Sequence, residues 1–73
     1  MEYPLSSIEV SRLLGVNPSR LGRAVWAGRI PQPLRTHSGA FIWREDDVRR
    51  ACWVLLHRDL DGIVAERQEV TRD

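Results

Sequence analysis

The sequence predicts a small, mainly helical domain carrying one short β-hairpin. Three observations predict it. Two capped helical stretches are separated by only three residues, two short strand-like runs flank a glycine-tipped turn, and a further helical stretch opens on three consecutive acids. The chain has 73 residues, room for one core and no second one, so residues 1–73 read as a single domain. A core of that size supplies only about 3–5 kcal/mol, and every apolar side chain counts.

Ser6-Ser7-Ile8-Glu9 has the form of a capping box, in which Ser6 accepts from the Glu9 amide and Glu9 reaches back to the Ser6 amide. Leu5 stands where a hydrophobic staple residue stands, opposite Val10. Val10, Leu13 and Leu14 share one helical face, and Gly15 can take the left-handed conformation that ends a helix. The first helix is therefore expected over residues 7–14.

Asn17-Pro18 starts a second helix at once, because asparagine is a strong N-cap and proline at the first helical position loses no hydrogen bond. It should run from Pro18 to Ala27, with Gly28 as terminator, Leu21, Ala24 and Val25 facing inward, and Ser19, Arg20 and Arg23 facing out. Ile30-Pro31-Gln32-Pro33 is stiff and extended, since each proline fixes its own φ and restricts its predecessor. Residues 34–36 and 41–43 read as two short strands around His37-Ser38-Gly39-Ala40, with their register open. Glu45-Asp46-Asp47 places acids in the first turn of a third helix, where the macrodipole favours them. Val48, Ala51, Cys52 and Leu55 form its core face, and it should reach at least His57. Asp59-Leu60-Asp61-Gly62 either breaks the chain or lets the helix continue through Ile63 and Val64; residues 68–73 are expected to fray. Two helices on a three-residue turn, then a hairpin, then one or two more helices, make a winged helix-turn-helix.

Composition excludes several classes. One cysteine allows no internal disulfide, and with only His37 and His57 beside it no closed zinc site is expected; nor is a cofactor. The longest apolar run, Ala51 to Leu56, is six residues, far short of a membrane span, and no apolar signal stretch follows Met1. The expected setting is cytoplasmic. There is no glycine-rich phosphate loop, nucleophile elbow or zinc motif, and His57 near Asp59 and Asp61 is explained by a charged surface, so no enzyme is expected. The formal charge of +1 hides an asymmetry: residues 1–44 hold six arginines against two acids, net +4, and residues 45–73 five against eight, net −3. All eleven basic residues are arginine, the better side chain for bidentate phosphate and guanine contacts.

The run from Leu5 to Cys52, about two-thirds of the chain, resembles the MerR-like winged helices of phage excisionases and AlpA-type regulators. The resemblance lies in the order and spacing of Ser6-Ser7-Ile8-Glu9, Leu13-Leu14-Gly15-Val16, Gly28-Arg29-Ile30-Pro31-Gln32-Pro33, the segment from Arg35 to Gly39, and Trp43-Arg44-Glu45-Asp46-Asp47-Val48. The chain departs from that pattern at Ser11, where alanine is usual, at Gly22 inside the second helix, and at Ala51, where a large aromatic is frequent. Trp53 or Trp26 could fill the space at Ala51, and Gly22 serves either close approach to DNA or helix packing.

A helix fits the major groove with its N-terminal residues nearest the base edges. The candidate DNA-binding residues are Asn17, Ser19, Arg20 and Arg23 on the second helix, Arg35, Thr36, His37, Ser38 and Gly39 on the wing, and Arg44 after it. Arg12 and Arg29 are weaker phosphate candidates. Trp43 should pack in the core, Trp26 should cover the hairpin base, and Cys52 should act as a buried hydrophobe. Trp53, Leu56 and Leu60 form a second apolar face, covered either by a folded-back C-terminal segment carrying Leu60, Ile63 and Val64 or by another protomer. The resemblance implies a recombination directionality factor that bends duplex DNA beside a site-specific integrase, monomeric when free and a cooperative multimer on DNA. A small transcriptional regulator, or the DNA-binding module of a larger assembly, would use the same fold. A protein-interaction module is the reading from another class.

Overall fold

In the computed structural model, which describes residues 2–71 and side-chain surroundings through Arg67, the order is α1 (Ser7–Leu14), α2 (Pro18–Trp26), β1 (Leu34–Arg35), β2 (Phe41–Ile42), α3 (Glu45–Leu56) and α4 (Leu60–Thr71). The molecule is mainly helical, with one two-stranded antiparallel hairpin. Among the described residues, no helix is long and apolar enough to cross a membrane.

Local chemistry sets the first two helices. Ser6 Oγ accepts from the Glu9 amide at 3.2 Å and Glu9 Oε1 from the Ser6 amide at 2.9 Å, closing the capping box. Leu5 and Val10, on either side of it, are both buried. Gly15 ends α1 at φ 70°, with its own amide on the Arg12 carbonyl and that of Val16 on Ser11. Asn17 Oδ1 caps α2 by accepting from the Ser19 amide at 2.8 Å. The second helix stops at Trp26, one residue before the expected Ala27. Gly28 (φ 80°) then turns the chain so that its amide reaches Val25 and that of Arg29 reaches Ala24.

Leu34 pairs with Ile42 and Arg35 with Phe41, which settles the hairpin register. Each strand is one residue shorter than expected. Thr36 closes the turn instead, its amide donating to the Ala40 carbonyl at 2.8 Å, and Gly39 adopts φ 88° at the tip. Trp43 leaves the hairpin and forms a bridge with Leu5, with both backbone hydrogen bonds made, at 2.8 and 2.9 Å. Its indole is fully buried and donates from Nε1 to Ser7 Oγ. A buried Trp N–H needs such a partner. Neither tryptophan expected to fill the space at Ala51 does so by burial: Trp53 is 59% exposed and Trp26 66%, while Ala51 itself is fully buried.

The third helix ends at Leu56, not at His57 or beyond. His57 takes a left-handed φ of 54° as its C-cap, and Asp59 Oδ1 then accepts from the Asp61 amide to start α4. The chain breaks and folds back, and α4 packs on both α1 and α3. Leu60 and Ile63 enter the core beside Val48, Ala51, Cys52 and Leu55, and Val64 packs against it. The folded-back segment thus covers Leu60 and part of Leu56 but leaves Trp53 uncovered. The backbone of 68–71 continues α4, and residues 72–73, expected to fray, lie outside the described residues. Arg67 ties the return helix down, donating to the carbonyls of Leu13 at 3.3 Å and Arg12 at 3.0 Å. A cation there also meets the negative end of the α1 dipole.

Candidate nucleic-acid interface

Leu21, Ala24 and Val25 bury one face of α2, which leaves Ser19, Arg20 and Arg23 on the other, all exposed. Gly22 lies between them, and a Cβ built there meets nothing within 4 Å in the chain. No packing contact within the protein asks for glycine at this position, and the outer face of α2 has a local recess there.

Two of the expected contact residues carry structural duties as well. Asn17 spends its side-chain oxygen on the α2 cap. Arg20 donates from Nη2 to the Leu55 carbonyl at 3.2 Å, linking α2 to the end of α3. This contact covers a C-terminal carbonyl of α3 and holds the Arg20 stem against the body, leaving Arg23 as the freer of the pair. Sequence spacing alone could not show it, because the two partners lie 35 residues apart.

On the hairpin, Thr36 Oγ1 and Ser38 Oγ share a hydrogen bond of 2.9 Å, and Thr36 Oγ1 also accepts from the Ala40 amide. These two hydroxyls brace the turn at its surface. His37, Ser38 and Gly39 are exposed there. The Arg35 guanidinium sits 5.0 Å from the centre of the Trp26 ring and 5.1 Å from that of Phe41. That stack went unforeseen from the sequence, although a fixed register pairing Arg35 with Phe41 would have pointed to it. Arg44 lies at the start of α3, exposed, 3.6 Å from Asp47, whose carboxylate also accepts from the Arg44 amide.

Ion pairing divides the arginines. Arg49 reaches Glu45 at 3.0 Å, Asp61 at 2.9 Å and Asp59 at 3.6 Å, and the hydrogen bonds to Asp61 and Glu45 raise its pKa further. Arg58 pairs with Glu66 and holds that carboxyl below its ordinary value. Among the described residues, Arg12, Arg20, Arg23, Arg29, Arg35, Arg50 and Arg67 have no carboxylate partner, so the unpaired set extends to α3 and α4, where Arg67 is held by backbone carbonyls. The outer face of α2, the loop after it and the hairpin therefore present cationic charge that the protein does not neutralise itself.

The expected protomer contact is reduced to fewer residues. Leu60 is 2% exposed and belongs to the core, so it offers nothing to a second chain. Leu56 is partly buried against the same core. Trp53 alone stands out, with its ring edge on to His57 at 5.9 Å. Cys52 is buried, its Sγ is 3.2 Å from the Arg58 carbonyl, and desolvation pushes its thiol pKa up, as suits an apolar filler rather than a nucleophile. Among the described residues, no group of three or more His, Cys, Asp or Glu is placed to hold a metal ion.

No protein-family model, curated protein or solved structure matches the chain.

Proposed function

We propose that the chain is a winged helix-turn-helix protein that binds and bends duplex DNA in the manner of phage excisionases, beside a site-specific integrase in the cytoplasm. One observation carries the DNA-binding part: the arginines of α2, the following loop and the hairpin lack carboxylate partners, while Arg49 and Arg58 at the other end of the chain are paired. In this reading α2 enters the major groove, Arg23 forks onto a guanine edge, and Ser19 with the first amides of α2 holds phosphate. The hairpin tip, His37 to Gly39, lies along the neighbouring minor groove, with Arg35 and Arg44 on the backbone. The choice of excision over transcriptional regulation rests on the motif order from Ser6 to Val48. The protein works by binding, not by catalysis. It is monomeric when free and lines up on DNA in several copies, with Trp53 as the exposed residue available to such contacts.

Titration of a labelled duplex across salt concentrations tests this, using one-site and paired-site versions. Affinity should fall with a log–log slope of about −0.9 per neutralised phosphate, and paired sites should fill cooperatively. Absence of binding at low salt would reject the nucleic-acid reading. Additive filling of paired sites would reject the multimer.

A further inference from the structure

We propose that Trp26 is a positioning residue: its exposed indole holds the Arg35 guanidinium at the junction of α2 and the hairpin, so that helix and wing meet DNA as one rigid surface. The inference rests on the DNA-binding reading above and assigns a role to a residue outside the expected contact set.

Trp26 is the last residue of α2 and is 66% exposed, so core packing does not explain so large an apolar side chain. Its contacts are with the hairpin. The ring lies 6.0 Å from that of Phe41 and 5.0 Å from the Arg35 guanidinium carbon, which is also 5.1 Å from Phe41. Phe41 in turn meets the buried Trp43 ring edge on at 6.3 Å. A row of π faces thus runs from the core to the surface, with Arg35 lodged at its outer end. The hairpin has only two backbone pairs of its own, and a two-stranded ribbon that short does not hold its orientation unaided. Trp43 ties its base to Leu5, and the stack supplies the link to α2. It satisfies the cation through ring quadrupoles and not a carboxylate, so Arg35 keeps its full positive charge toward a phosphate. An acidic partner would hold the side chain equally well and would repel DNA.

The test is a double-mutant cycle read by duplex binding, using the full chain and a labelled mixed-sequence duplex of about two helical turns. Trp26→Leu keeps apolar bulk and removes the π face; it should weaken binding roughly two- to fivefold, the range of an exposed cation–π contact. Trp26→Phe should restore most of that loss. With Arg35→Ala as background, Trp26→Leu should cost nothing more. Thermal melting of both Trp26 variants should match that of the parent. Multiplying effects of Trp26→Leu and Arg35→Ala, or equal binding by the Leu and Phe variants, would overturn the positioning role while leaving the DNA reading intact. Early melting of Trp26→Leu would overturn it too, by making the indole part of the core. A parent protein that binds no duplex would remove the functional reading and this inference with it.

Discussion

In the α3–α4 pair, Arg49 spans Glu45, Asp59 and Asp61 while Arg58 grips Glu66; on α2, the loop after it and the hairpin, Arg23, Arg29 and Arg35 meet no carboxylate among the described residues. Both regions use arginine, but Arg49 and Arg58 close on acids of the protein itself, Arg50 of α3 being the exception there, whereas those of α2, the loop and the hairpin meet none. The difference follows from where the acids are: eight of the ten lie in residues 45–73. Paired charges hold the return of α4 onto α3 across the bend at His57. The unpaired ones leave positive charge toward solvent, even where, as with Arg35 on Trp26, the side chain is held by a ring, and on the proposed reading that charge is there to meet DNA. The comparison also separates the two exposed tryptophans. Trp26 is engaged with a cation and a second ring, whereas Trp53 meets only the edge of His57.

The largest test of this division is Leu60→Ala. With Leu60 2% exposed at the start of α4, the truncation should cost about 2–5 kcal/mol in chemical denaturation. Trp53→Ala, at a site 59% exposed on the same side, should leave the midpoint almost unmoved. Equal losses would mean that the outer face of α3 belongs to the core.

Next in size is Arg23→Ala, measured on the best site selected from random duplexes. It should lose about 1–3 kcal/mol of affinity and relax discrimination at one base pair, with unchanged melting. A uniform loss across all sequences would move Arg23 from base reading to the phosphate backbone.

Gly22→Ala has the opposite sign for stability. Nothing within 4 Å opposes the added Cβ, so the helix should gain about 1 kcal/mol. If DNA approaches the recess at Gly22, affinity should fall while the melting temperature rises. A gain in both would take Gly22 out of the interface.

The smallest effect is that of acid. Hydrogen bonds from the Ser6 amide and hydroxyl region lower the Glu9 pKa, and Arg58 lowers that of Glu66. A carboxylate with a depressed folded pKa stabilises fully above its unfolded pKa, and the gain is lost as pH falls through the folded value. Melting temperature should therefore decline modestly on the acid side, and Glu9→Gln should flatten part of that decline. Both carboxylates are solvent-screened, so the change should stay well below that of Leu60→Ala.

The sequence by itself determined the elements whose signals are local. Ser6 to Glu9 cap α1, Gly15 ends it, Asn17-Pro18 start α2 and Gly28 turns the chain, because each device spans a few residues whose side chains meet their own backbone. The inward faces of α1, α2 and α3 followed from spacing for the same reason. Tertiary structure decided the rest. Whether the chain breaks after α3 depends on His57 accepting a left-handed conformation, which Leu60 and Ile63 reward only by reaching the core. Which arginines stay open was equally beyond sequence spacing: Arg20 finds the Leu55 carbonyl, Arg67 the end of α1, and Arg35 the ring of Trp26. Local signals name the residues on a face; only the packed fold brings distant partners within hydrogen-bond or ring-contact distance and so decides which charges remain to meet something else.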